Sequence, residues 1–190
     1  MRSLNLQLVG STSLLLHRIS RHQLRRQVAS TKGATLTIEE EALEIMVKDM
    51  HGNPAVPVSW LWDSLRVGCS RIIVEKKQVS FTRLQSLIKL PEGLLSLKDK
   101  DNHVPAWEPY LSFQHAAPRS KKSVAVLAPK FKDWMIIVPV QFHENLLINN
   151  AIENKVLIER IFAEAGRGGI GLFHPPKKHF GQFKTLVMTK

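Results

Sequence analysis

The chain has 190 residues, 44% of them hydrophobic and 23% charged, the size and balance of one ordinary globular domain with a single core. No apolar run approaches the roughly 18 residues of a spanning helix, and the lone Cys69 cannot close an internal disulfide. These features argue against membrane proteins and disulfide scaffolds and for a reducing, cytoplasmic setting. Lys and Arg number 27 against 16 Asp and Glu, a net charge of +11, which points to a polyanionic partner, nucleic acid first.

Ser3 to Val9 alternates Leu4, Leu6 and Leu8 with Asn5 and Gln7, which predicts a half-buried strand followed by the turn composition Gly10-Ser11-Thr12-Ser13. The Arg-rich, acid-free start of the chain also has the composition of a mitochondrial presequence, but this alternation belongs to a strand and not to a presequence helix. His17 to Gln27 is strongly basic with few apolar residues, so it is not expected to pack on a core. Thr37 and Glu40 form a capping box; a short helix should begin at Ile38 and weaken before the turn His51-Gly52-Asn53-Pro54. Pro57 opens a second helix, with Val58, Leu61, Trp62, Leu65 and Cys69 on the face laid against a sheet.

From Ile72 to Leu97 the apolar residues alternate loosely and predict two strands parted near Pro91-Glu92-Gly93. After a polar connection over Asp99 to Pro109, Tyr110 to Leu127 reads as a hairpin with Pro118-Arg119-Ser120-Lys121-Lys122 at its tip. Trp134 to Phe142 predicts a strand whose Pro139 requires an edge or bulge position. Asn150 is a candidate cap for a last helix carrying Leu157, Ile158, Ile161, Phe162 and Ala165, and Gly166 is expected at its left-handed C-terminus. Gln182 to Met188 is the final strand. Reduced to its regular elements, the order is strand, helix, strand, strand, helix, strand. This predicts an α+β fold, the antiparallel ferredoxin-like βαββαβ plan shared by RNA-recognition motifs, in one domain spanning 1–190. The basic hairpin (107–128) and a glycine-rich loop (166–181) are insertions in that plan.

The basic residues are segregated. Arg2, Arg18, Arg21, Arg25, Arg26 and Lys32 precede Ala34 with no acid among them; Arg119, Lys121, Lys122, Lys130 and Lys132 lie in an acid-free stretch from Gln114 to Lys132. Arg167, Lys177, Lys178, Lys184 and Lys190 follow Gly166, again with no acid. Acids concentrate in Glu39 to Asp49 and Glu153 to Glu164, so sequence neighbours do not neutralise the basic stretches. Solvated lysine-rich loops would have the same composition. The glycines at 166, 168, 169 and 171 allow close backbone approach and, with Arg167, Lys177 and Lys178 nearby, a phosphate cradle; a simple helix-to-strand turn is the alternative. Neither a P-loop nor a dinucleotide fingerprint is present, because no Gly-Lys-Ser/Thr follows and the glycines come after a helix.

Three segments carry a family resemblance. Ala165-Gly-Arg-Gly-Gly-Ile-Gly-Leu-Phe-His-Pro175 with Gly181-Gln182-Phe183, Pro57-Val-Ser-Trp-Leu-Trp62 before a helix, and the opening strand Leu8-Val-Gly-Ser-Thr-Ser-Leu-Leu15 resemble those of the RAMP proteins of CRISPR systems. These are the RNA-recognition-motif-like subunits that line the guide RNA in Cascade-type complexes. Small phage and prophage proteins of the same architecture are the nearer likeness. The resemblance implies a non-enzymatic protein that coats single-stranded nucleic acid, RNA rather than DNA, in repeated copies or beside other subunits, with a thumb-like hairpin and no cofactor. The long Pro175-Pro-Lys-Lys178 insertion departs from many RAMP loops.

The residues expected to bind are therefore His17, Arg18, Arg21, Arg25 and Arg26; Arg119, Lys121 and Lys122; Arg167, Gly168, Gly169, Gly171, Lys177, Lys178 and His179; and Trp60 and Arg66 on the second helix. Among aromatics, Trp60, Trp107, Tyr110, Phe173 and Phe180 are candidates for stacking, whereas Trp62, Trp134 and Phe162 are expected in the core. No metal site is expected, since His17 and His22, like His174 and His179, are five apart and lack a Cys pair or clustered carboxylates. The enzymatic alternative is a metal-independent RAMP-type endoribonuclease with His17 or His22 as general base. Cys69, on an apolar helix face, is expected to be inert.

Overall fold

The computed structural model describes residues 1–16, 37–115, 123–144, 153–172 and 179–188, and the architecture is that of those residues. It is a mixed α+β fold with antiparallel sheets and four helices. In chain order the elements are β1 (Arg2–Gly10), β2 (Leu14–Leu15), α1 (Ile38–Ile45), β3 (Ala55–Pro57), α2 (Val58–Arg71), β4 (Ile73–Val74), β5 (Lys77–Gln78) and α3 (Phe81–Leu87). There follow β6 (Ile88–Lys89), β7 (Leu94–Ser96), β8 (Trp107–His115), β9 (Ser123–Phe131), β10 (Met135–Phe142), α4 (Asn154–Gly168) and β11 (Phe183–Val187).

The main sheet runs β11-β1-β10-β6, every neighbour antiparallel. Alternation sets its two faces. Leu4, Leu6 and Leu8 of β1 and Ile136, Val138, Val140 and Phe142 of β10 are buried on one side. There they join Leu61 and Leu65 of α2 and Leu157, Ile158, Ile161 and Phe162 of α4 in one core. The other side carries Asn5, Gln7, Ile137, Pro139, Gln141, Lys89, Lys184 and Leu186, as the strand registers require. Pro139 stands opposite Asn5, whose C=O turns the other way to accept from Met188 N–H. Its missing N–H thus faces the side of β10 that β6 covers only at Gln141 and Phe142, and no named ladder bond is lost.

Helices α2 and α4 cross at small residues. A Cβ on Gly68 would come within 2.5 Å of Ile161 C=O, and the buried Ser64 hydroxyl donates to Ala165 C=O at 2.8 Å. Ser64 and Gly68 are buried although neither lies on the apolar face predicted for α2. The capping box of α1 is present: Glu40 N–H donates to Thr37 Oγ1, and Thr37 N–H donates to Glu40 Oε2 at 2.7 Å. The hairpin β8–β9 is longer than its sequence pattern indicated, pairing Trp107 with Phe131 through His115 with Ser123.

Three expectations are corrected. Instead of two strands, 72–97 contains four strands of two or three residues and helix α3, started by Ser80, whose hydroxyl accepts from Arg83 N–H. Helix α4 does not end at Gly166: that residue is still helical, and it is glycine because a Cβ there would run into the Phe183 carbonyl oxygen; the C-cap is Gly169, φ +72°. Glu153, not Asn150, is at the N-cap; Asn150 lies outside the described residues.

Candidate nucleic-acid interface

Strand β2 has only two residues, yet it joins two of the segments singled out by charge to the start of the third. Leu14 and Leu15 pair with Phe131 and Lys130 of β9. Leu16 N–H donates to Pro129 C=O at 3.0 Å, and Leu15 C=O accepts from Leu172 N–H at 3.1 Å. Leu14, Leu15 and Leu16 are completely buried. The chain enters its arginine-rich stretch directly from this point, between the base of the hairpin and the glycine-rich segment. Tyr110 of β8 and Phe180 make a further bridge, edge to face with centroids 5.3 Å apart.

The glycine-rich segment is assembled from close backbone approaches. Gly169, Gly171 and Gly181 have φ of +72°, +84° and +68°, and a Cβ on Gly171 would lie 2.7 Å from Leu15 C=O. Ile170 N–H donates to Gly181 C=O at 2.9 Å, Gly181 N–H to Ser13 C=O at 2.8 Å, and Gly169 N–H to Ala165 C=O at 2.9 Å. With Leu172 N–H also committed, the N–H groups of Gly169, Ile170, Leu172 and Gly181 are engaged within the chain in a backbone-to-backbone seam and are not offered to a phosphate. Gly168, still helical, lies against Val67 of α2. The seam joins residues 169–172 to Gly181 and to Ser13–Leu15, with Arg167 and His179 exposed beside it.

The expected site residues separate into groups. Trp60 precedes Ser64 and Val67 on the stripe of α2 that meets the end of α4, and it is half-buried against the core instead of free in solvent. Trp107 is likewise half-buried, and so is Trp62, which was expected in the interior; Trp134 and Phe162 are fully in the core. Arg66 is on the opposite side of α2, its guanidinium 5.0 Å over the Phe81 ring, which Trp62 meets edge-on at 6.0 Å. The fold does not bring Arg66 to the glycine segment. Arg167 and His179 are exposed at that segment, Arg167 beside Glu164 at 3.0 Å. His17, Arg18, Arg21, His22, Arg25, Arg26, Arg119, Lys121, Lys122, Phe173, Lys177 and Lys178 lie outside the described residues.

Sequence reasoning missed an acid. Glu108 stands opposite Lys130 across the hairpin, and its carboxylate meets Lys130 Nζ at 2.8 Å and Lys132 Nζ at 2.9 Å. These hydrogen bonds, from Lys130 first and Lys132 second, hold Glu108 below the usual carboxylate range. The signal was available in the cross-strand pairing and not in the local sequence. The open face of the main sheet bears no aromatic side chain among the described residues, so stacking there is not provided for.

Burial pushes the Cys69 thiol up to about 11, the state of an inert side chain. Among the described residues no three His, Cys, Asp or Glu side chains are placed to hold a metal, and no helix is long and apolar enough to cross a membrane. The sequence matches no known protein-family model and no curated protein.

Proposed function

We propose that this protein binds single-stranded nucleic acid non-enzymatically along its cationic margin, as a RAMP-like subunit that coats a strand. The carrying observation is the meeting at β2: the chain entering His17–Arg26, the base of the hairpin and the glycine-rich segment are held together by Leu14–Leu16. Three chain segments remote in sequence, each leading toward one of the basic stretches, thereby meet at one place. From the Glu108–Lys130 pair, opposite Leu15, the described hairpin extends seven residues to His115, about 24 Å, a length along which a strand could run outward from the anchor. The order β11-β1-β10-β6, with α2 and α4 on one face, supports a ferredoxin-like plan, since it is the 4-1-3-2 order of a split βαβ. A preference for RNA, repeated copies along the strand and a phage or CRISPR-like setting in the cytoplasm rest on the family resemblance.

Contacts to about five or six phosphates of a single strand give a log K against log salt slope near −4. Fluorescence anisotropy of a labelled 20-nucleotide RNA and its DNA counterpart, titrated between 50 and 300 mM salt with EDTA present, measures that slope. Recovery of intact RNA afterwards is expected. A flat salt response or absence of binding at 50 mM overturns the proposal, and cleavage abolished by His17→Ala transfers it to the endoribonuclease reading.

A further inference from the structure

A recess of about 270 Å³ opens at the base of the hairpin, where β2 also attaches. Trp107 forms its apolar wall, and Lys130, Lys132 and Glu108 line it beside Asp99, Lys100 and Asp133. Trp107 is half-buried and packed on the core, so its ring is a fixed surface. Lys130 is held close, its side chain 22% exposed, whereas Lys132 is 63% exposed. One carboxylate serves both ammonium groups.

The balance of charge matters here. Three carboxylates and three ammonium groups line the recess, so it presents no net charge to an approaching anion. Their engagement differs, however. Asp99 accepts the N–H groups of Asp101 and His103 on Oδ1, both at 2.9 Å, and is committed to its own turn. Among the described residues, Glu108 is held by the side chains of the two lysines alone. A carboxylate held by side chains at a 43%-exposed position can swing away without breaking backbone structure. A phosphate oxygen offers the same lysines the same kind of acceptor with more charge.

We infer that this recess is a nucleotide subsite of the strand-binding surface, in which Glu108 is a resident counter-ion masking Lys130 and Lys132 until a phosphate displaces it and the adjoining base lies against Trp107. The inference rests on the strand-binding reading and adds to it a location and a built-in competitor. Glu108 then sets affinity against release. With the mask in place, the two lysines exert little long-range pull, and the strand gains them only when it is seated.

Removing the mask tests this on the full chain, with the labelled 20-nucleotide RNA as probe. Glu108→Gln is expected to tighten binding several-fold at 150 mM salt and to change the salt slope by about 0.7 at most, because both proteins make the two phosphate contacts when seated and only one competing charge is removed. Glu92→Gln, which removes the same charge from the turn before β7, controls for net charge and is expected to change the slope by less than about 0.3. Lys130→Met with Lys132→Met in the Glu108→Gln background should abolish the gain. Saturating RNA should quench tryptophan fluorescence less in Trp107→Phe than in the unmodified protein. If the unmodified protein binds RNA while Glu108→Gln behaves like Glu92→Gln, or if the lysine substitutions leave the gain in place, the subsite is refuted and the strand-binding reading survives. Absence of RNA binding by the unmodified protein and by Glu108→Gln alike overturns both.

Discussion

The sheet with α2 and α4 and the hairpin with its seam are held by different forces. In the first, a continuous apolar layer of Leu6, Leu8, Val138, Ile161 and Phe162, none of them exposed, joins every long element to the same core. In the second, the apolar face of the hairpin is buried only near its base. Phe131 is completely covered, whereas farther out Leu111 is 45% and Phe113 70% exposed. Two-residue β2, the Gly169–Gly181 contacts and the Tyr110–Phe180 pair attach it. Burial resists perturbation collectively, but a seam of backbone contacts fails at single atoms. A buried core opens only with global unfolding, whereas a seam of few contacts can open locally, which is the division of labour the proposed strand-binding margin would need.

The difference can be broken most severely from the core side. Leu6→Ala removes a completely buried side chain at the centre of the sheet and is expected to cost about 2–5 kcal/mol in urea denaturation, lowering both regions together. A loss below about 1 kcal/mol would mean that the sheet is not the load of the fold. Gly181→Ala attacks the seam. An L-residue there meets positive φ and the Ile170 carbonyl, so a cost above about 1 kcal/mol is expected. Its distinguishing sign is local: amide exchange at Ile170 and Leu172 should accelerate far more than at Leu6 or Val138, and uniform acceleration would unite the regions after all.

Acid gives the smallest effect. Glu108 is lowered in the folded state, so between its folded and unfolded pKa values the unfolded chain binds the extra proton. The stabilisation is complete above the ordinary carboxylate range and fades as pH falls through the lower, folded value. Side-chain carboxyl NMR should report Glu108 titrating below an unperturbed glutamate, and Lys130→Met should move it back upward. A midpoint indifferent to that substitution contradicts the geometry at the hairpin base.

Much of the architecture was legible where a local pattern has one solution. Strand alternation placed β1 and β10, Pro57 started α2, and Thr37 with Glu40 capped α1, because each depends on neighbours within a few residues. Helix α3 escaped because seven residues show hardly two turns of periodicity, and the C-terminus of α4 was misread because the first glycine was not the one in a left-handed conformation. The aromatic candidates were less legible still. Trp60, Trp62 and Trp107 all end half-buried, since their exposure depends on what packs alongside.

Composition and periodicity by themselves determined a basic α+β chain with a hairpin, a glycine-rich turn and charge gathered into three acid-free stretches. Only the tertiary structure decided that Leu14–Leu16 pair with the base of the hairpin and with Leu172, that the N–H groups of Gly169, Ile170, Leu172 and Gly181 are spent within the chain, and that Glu108 faces Lys130 and Lys132. The reason is physical: helix and strand formation answer to nearest neighbours, whereas hydrogen-bond partners and counter-ions are chosen by register and packing between residues far apart along the chain.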